Sequence, residues 1–250
     1  MGNNQVKPQN ANSNNSSENI KFVLGIIDPQ NDFCFGGELA VKEADFAIAA
    51  INKLRFICFD IIDTFISQDF HPENHMSFGS THNKKNYEKI KLNLEMEDGS
   101  KIDVEQVLWP KHCVQNTKGS EFHPDLIVIK QDKIIHKGTK PNVESYSAFG
   151  DEFGGKYEKT DLNKWLQNKK ITDIILVGVA TDYCVYNTAL DSIRNGYKVH
   201  LILSCTRGVE KDTTEKALED LTSKGAKFYK SVDEFYLTHK NFITDSKNII

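Results

Sequence analysis

The chain has 250 residues, 39% of them apolar, with 31 Lys and Arg against 35 Asp and Glu for a net charge of −4. That is enough chain for one large α/β domain with a single core, and the slight acidic balance gives no electrostatic footprint for nucleic acid. No apolar run is long enough to span a bilayer, and no secretory signal opens the chain; the cysteines (Cys34, Cys58, Cys113, Cys184 and Cys205) are odd in number, form no C-x-x-C pair and fit a reducing compartment.

Residues 1–20 are Asn/Ser-rich and are expected to form a disordered tail, leaving 21–250 as the folded domain. Gly2 invites a myristoylation reading, but Val6 stands where Ser or Thr is needed. Phe22 to Ile27 has the continuous apolar pattern of a buried strand and ends in D-P-Q-N-D-F, which puts Asp28 at its carboxyl end. Ala44 to Phe59 carries apolar residues at helical spacing. Phe59 to Asp63 holds two acids three apart, read as a surface turn into the next strand rather than a phosphatase-like pair.

The apolar stretch Ile61 to Ile66 leads into Q-D-F-H-P-E-N-H, where Asp69 and His71 are two apart and share one face of an extended chain. With His112 of L-W-P-K-H-C-V they make a carboxylate and two imidazoles, a ligand set that leaves positions open on a reactive metal ion. Glu73 and His75 are nearby rivals, ranked as supporting or surface groups. Gly79 to Gln106 is polar with a weak alternation at Ile90, Leu92 and Leu94, an excursion over the site with hairpin character. Ile134 to His136 is a short strand that places Lys137 at its end, and Asp161 to Lys169 is a short helix.

Ile174 to Val179 is another buried strand, and V-G-V-A-T-D-Y-C-V carries it through a small-residue turn to Cys184 at the start of a helix over Asp182 to Asn195. Unpaired N–H groups at such a helix start stabilise a thiolate and can hold an oxyanion. A lone cysteine beside a strand is usually core filler, so the case for a nucleophile rests on Asp28 as proton acceptor and Lys137 as a thiolate-stabilising cation at similar strand ends. Val199 to Leu203, a helix over Thr213 to Ser223 and a strand at Ala226 to Tyr229 complete the pattern. Alternating strands and helices predict a three-layer αβα domain with a mainly parallel sheet.

The motifs D-P-Q-N-D-F, D-F-H-P-E-N-H-x-S-F, W-P-K-H-C-V, K-G-T followed by Y-S-A-F, and G-V-A-T-D-Y-C-V occur in the order that resembles the nicotinamidase branch of the isochorismatase-like cysteine hydrolases. The resemblance runs from about Lys21 to the region of Tyr229. It implies the isochorismatase-like hydrolase fold, a catalytic Asp28, Lys137 and Cys184 triad, and a divalent ion on Asp69, His71 and His112, with zinc first and iron or manganese as alternatives. It also implies a cis Val179–Ala180 peptide aiming the Ala180 and Cys184 N–H groups into an oxyanion hole, and a ring-packing role for Phe33 and Trp109. The implied reaction is hydrolysis of nicotinamide to nicotinate and ammonia through a Cys184 thioester, feeding NAD salvage, with pyrazinamide as an analogue. Phe70 departs from the branch's usual Trp, and an extra acidic metal ligand found in some relatives has no evident counterpart. Another hydrolase of the family, acting on a carbamoyl or isochorismate-type compound, and a thiol redox or metal sensor are the competing readings. A cytoplasmic or nuclear location, a homo-oligomer and the absence of membrane and nucleic-acid partners complete the expectation.

Overall fold

The computed structural model describes residues 20–58, 62–96, 98–151 and 153–247, with side chains through residue 240. The expected tail with Gly2 and Val6, and the segment Phe59 to Ile61, lie outside the described residues. Six parallel strands form the central sheet: β1 (Phe22–Ile27), β2 (Asp63–Asp69), β5 (Lys133–Lys137), β6 (Asp173–Val179), β7 (Lys198–Arg207) and β8 (Lys227–Tyr229), in the order β5-β2-β1-β6-β7-β8.

Alternation along the buried strands builds two cores. Phe22, Leu24 and Ile26 of β1 face α1 (Ala44–Cys58) and α5 (Val232–Lys247), packing with Ile48, Ile51, Leu54 and Phe235. Val23 and Ile27 face the other way, toward α2 (Leu162–Asn168), α3 (Tyr186–Arg194) and α4 (Lys211–Ser223), packing with Leu162, Leu166, Ala189 and Leu221. Because side chains on a strand alternate faces, a strand apolar at every position needs a helical layer on each side, and the domain is the expected αβα sandwich. Helix α5, past the last strand, shows no comparable signal in the sequence reading; its buried residues Val232 and Phe235 close the first core.

The chain goes from β1 outward to β2 and later returns to β6 on the other flank of β1, so the order reverses between β1 and β6. Ligands of open parallel sheets bind at the carboxyl ends of strands beside such a reversal. Close approach there is enforced by Gly178, whose φ is 112° and where a Cβ would lie 2.1 Å from the Ile27 carbonyl oxygen. The polar excursion contains an antiparallel hairpin of β3 (Lys89–Glu95) and β4 (Lys101–Val107), with Ile90, Leu92 and Leu94 on one half-buried face.

Candidate active site

Four strand ends converge. Asp28 follows β1 with a φ of 47°, a left-handed conformation that Asp tolerates better than most residues. Asp69 closes β2, Lys137 closes β5, and β6 runs through the cis Val179–Ala180 peptide into a single π-helical turn, Thr181–Val185, that carries Cys184 and continues as α3.

Lys137 is completely buried and organises this convergence. Its ammonium donates to Asp69, to the Cys184 Sγ at 3.2 Å and to the Ser145 carbonyl at 3.3 Å. Asp28 Oδ2 sits 2.9 Å from the same nitrogen as a fully buried ion pair, and Oδ1 accepts a hydrogen bond from the Ser67 hydroxyl at 2.7 Å. An Asp28 oxygen lies within 4.8 Å of the Cys184 sulfur, so the carboxylate, the ammonium and the thiol form one contact cluster.

Burial sets the protonation states. It raises the Asp28 carboxyl above the usual carboxylate range against the pull of Lys137, and it pushes the Cys184 thiol well up despite the ammonium beside it. Burial would discharge Lys137, but Asp28 and Asp69 outweigh it and hold the ammonium well above its ordinary value. Asp69 is drawn well below its ordinary range, its burial overcome chiefly by the Lys137 ammonium. The resting cluster is a neutral thiol, a charged lysine and two carboxylates, the more basic of which is Asp28.

Asp69, His71 and His112 are buried, with their donor atoms within 4.8 Å of one another. Asp69 Oδ2 lies 3.5 Å from His71 Nε2 and 3.7 Å from His112 Nε2. His71 Nδ1 is 2.9 Å from the Gly138 carbonyl and His112 Nδ1 is 2.8 Å from the Pro110 carbonyl. A carbonyl only accepts, so each Nδ1 carries the proton and each Nε2 presents a lone pair toward Asp69. Two lone pairs and a carboxylate oxygen around one point suit a divalent transition ion, whose charge would also balance the second buried carboxylate.

Other donor clusters fit an ion less well. His75 is buried, not at the surface, and both its nitrogens are engaged, Nδ1 with the Ser77 hydroxyl at 2.7 Å and Nε2 with the Val143 carbonyl at 3.0 Å. Burial holds it well below its ordinary value, and it stacks on His71 with ring centroids 4.1 Å apart, supporting that ring. Glu73 is exposed and paired with Lys111 at 2.5 Å. Cys34, Asp45 and His123 also approach one another, but the Asp125 N–H donates to His123 Nδ1, which turns a protonated Nε2 toward Asp45.

Beside the thiol and the Asp69 group lies a small cavity lined by Phe33, Leu39, Val41, Trp109, Tyr146, Tyr183 and Val209, with Glu144 and Ala180. Phe33 and Trp109 thus face it together. Trp109 meets Tyr183 edge to face at 4.9 Å and donates from Nε1 to the Tyr146 hydroxyl at 3.0 Å. Sequence reasoning gave no role to Glu144, Tyr146, Tyr183 or Ser67; the Y-S-A-F motif was the available signal for Tyr146. The β3–β4 hairpin contributes no lining side chain and touches the site through Gln106, whose amide is 3.3 Å from the Tyr146 hydroxyl.

A parallel αβα sheet that gathers an acid, a lysine and a thiol on neighbouring strand ends defines an α/β hydrolase class. Residues 22–232 match the isochorismatase domain, and the chain belongs to that family. It is 41% identical over 214 residues to the nicotinamidase of Escherichia coli, covering 84% of this chain and 95% of the relative. The Acinetobacter baumannii nicotinamidase/pyrazinamidase structure superposes with a TM-score of 0.76 at 36% identity, covering 86% of this chain and 99% of that one. The Pyrococcus horikoshii pyrazinamidase in complex with zinc superposes with a TM-score of 0.67 at 33% identity, covering 83% and 98%.

Proposed function

We propose that this protein is an amidohydrolase that converts nicotinamide to nicotinate and ammonia. The observation that carries the reading is the buried cluster of Asp28, Lys137 and Cys184, a base, a cation and a thiol in mutual contact at the edge of an aromatic cavity. The activities named for the relatives support the same substrate class.

In this mechanism Asp28 takes the Cys184 proton, and Lys137 compensates the thiolate as it forms. The sulfur attacks the carboxamide carbon while the Ala180 and Cys184 N–H groups hold the oxyanion. Cys184 lies in the first turn of its helix, where N–H groups lack intrahelical partners. Asp28 returns the proton to the leaving nitrogen, so ammonia departs and a thioester remains. Asp28 then deprotonates water, which attacks the thioester; nicotinate leaves and the thiol is restored.

Asp69, His71 and His112 would hold a divalent ion, with zinc favoured by the donor set and by the zinc complex of the P. horikoshii relative. Such an ion supplies a Lewis-acidic position that a pyridine nitrogen can fill. Phe33, Trp109 and Tyr183 offer faces and edges to a flat ring. Production of nicotinate assigns the enzyme to the recycling of nicotinamide toward NAD.

The test is ammonia release from nicotinamide, pyrazinamide, benzamide and a carbamoyl compound by the zinc-loaded enzyme. The first two should turn over and the others hardly at all. Equal turnover of benzamide would remove the ring-nitrogen anchor, and exclusive use of the carbamoyl compound would move the protein elsewhere in the family.

A further inference from the structure

One buried carboxylate beside the site has no part in this chemistry. Glu158 does not line the cavity, yet it accepts four hydrogen bonds. The Gly138 N–H reaches Oε2 at 2.8 Å, the Thr139 N–H and hydroxyl reach Oε1 at 2.8 and 2.5 Å, and the Ser145 hydroxyl donates to Oε2.

These donors surround the two halves of the site. Gly138 and Thr139 directly follow Lys137, and the Ser145 carbonyl takes one of the Lys137 protons. The Gly138 carbonyl is the acceptor that fixes the His71 tautomer, and a Cβ on Gly138 would lie 2.4 Å from the His71 ring. Glu158 is itself held by Asp151, whose carboxylate accepts the N–H groups of Phe153, Gly155, Tyr157 and Glu158.

We propose that Glu158 is a positioning residue that couples the lysine and metal halves of the site, fixing Lys137 through Gly138 and Ser145 and His71 through Gly138. The inference rests on the reading of Lys137 as catalytic and of His71 as an ion ligand. Four donors converging on one side chain require a group that only accepts, and a carboxylate meets that requirement where an amide, with two donors of its own, does not.

The test compares Glu158→Gln with wild type in two measurements: kcat and KM for nicotinamide at saturating zinc, and zinc affinity by chelator competition. The expected result is a fall in kcat of at least about 10-fold with KM within about 3-fold, together with zinc binding weakened about 10-fold. Thr139→Val, which removes only the hydroxyl donor, should keep all three within about 3-fold. A Glu158→Gln enzyme that melts earlier but keeps kcat and zinc affinity within about 2-fold overturns the proposal, and so does loss of one without the other. If Glu158→Gln does not fold, Ser145→Ala carries the test: it should lower kcat and spare zinc affinity, and an unchanged kcat overturns the proposal. Failure of wild type to hydrolyse nicotinamide would refute the functional reading instead, while the zinc comparison would still report on Glu158.

Discussion

At the scale of single residues, the chemistry depends on which buried group holds a proton. Cys184 is a neutral thiol at rest because burial outweighs the adjacent ammonium, so its activation needs a base and not a cation alone. Cys184→Ala should abolish turnover and leave nicotinamide binding largely intact, and Cys184→Ser should be severely impaired because a hydroxyl is harder to deprotonate; titration calorimetry with a rate assay checks both. Asp28→Asn and Lys137→Ala should each cost orders of magnitude in kcat, with the double variant little worse than either, since the groups act as a unit. Lys137→Ala should also slow alkylation of Cys184 near neutral pH, an unchanged rate showing that the lysine does not support the thiolate. Asp28 must be unprotonated to act and its carboxyl is raised, so kcat/KM should fall on acidification at a pH above the ordinary carboxylate range. His71→Ala should lose both zinc and nicotinamide affinity while Cys184 stays alkylatable.

At the scale of elements, the site depends on how strand ends and helix starts are tied together. The Asp182 carboxylate accepts the Val209 and Glu210 N–H groups at 2.9 and 3.2 Å and the Thr213 hydroxyl at 2.5 Å, tying the chain that enters α4 to the turn that carries Cys184. Asp182→Ala should cost about 1.5 to 3 kcal/mol in a denaturant titration, the usual worth of hydrogen bonds to a charged group, and lower kcat because Val209 and Cys184 share one cavity wall. Gly178→Ala should be worse, at least about 3 kcal/mol, because a methyl group 2.1 Å from a backbone oxygen has nowhere to go. The strands were legible because runs such as Phe22 to Ile27 are apolar at every position, which only a doubly covered sheet tolerates. Helix Asp182 to Asn195 was legible in outline, but its first turn is π-helical, a change of hydrogen-bond partner that side-chain periodicity does not encode. Asp28 and Lys137 could be read because each stands at the end of an apolar strand, and Cys184 because a small-residue turn carries it from such a strand to a helix start. Glu144 and Glu158 could not, since each sits in irregular chain and is set beside the site by residues distant in sequence.

At the scale of the whole molecule, the sheet has a chemical end and a structural end. The carboxyl ends of β1, β2, β5 and β6 carry unpaired lone pairs and buried charge, which cost stability and must be offset elsewhere. Near the opposite end, Asp173 at the start of β6 pairs with His200 of β7 at 2.8 Å, His200 Nδ1 lies 3.1 Å from the Tyr229 hydroxyl, and that hydroxyl is 2.9 Å from His239 of α5. Phe22, Phe235 and His239 pack edge to face or tilted around this chain, so a polar network joins β6, β7, β8 and α5, with β1 held against it by the Phe22 ring. Burial works against ionisation of Asp173, but its hydrogen bonds to His200 and Thr172 prevail and lower its carboxyl below the ordinary value. A carboxylate depressed in the folded state adds stability that is present above its unfolded pKa and is lost as pH falls through the folded one. Asp173→Asn should therefore lower stability at pH 7 by about 1 kcal/mol, a charge-assisted bond discounted for solvent screening, and the gap to wild type should close as pH falls through the lowered pKa of Asp173. Chemical denaturation across that range checks it. A gap that persists undiminished in acid would show that Asp173 acts through packing and not through its charge. Because the network lies away from the site, kcat of the variant should equal that of wild type wherever both are folded, separating the end of the sheet that holds the molecule together from the end that does chemistry.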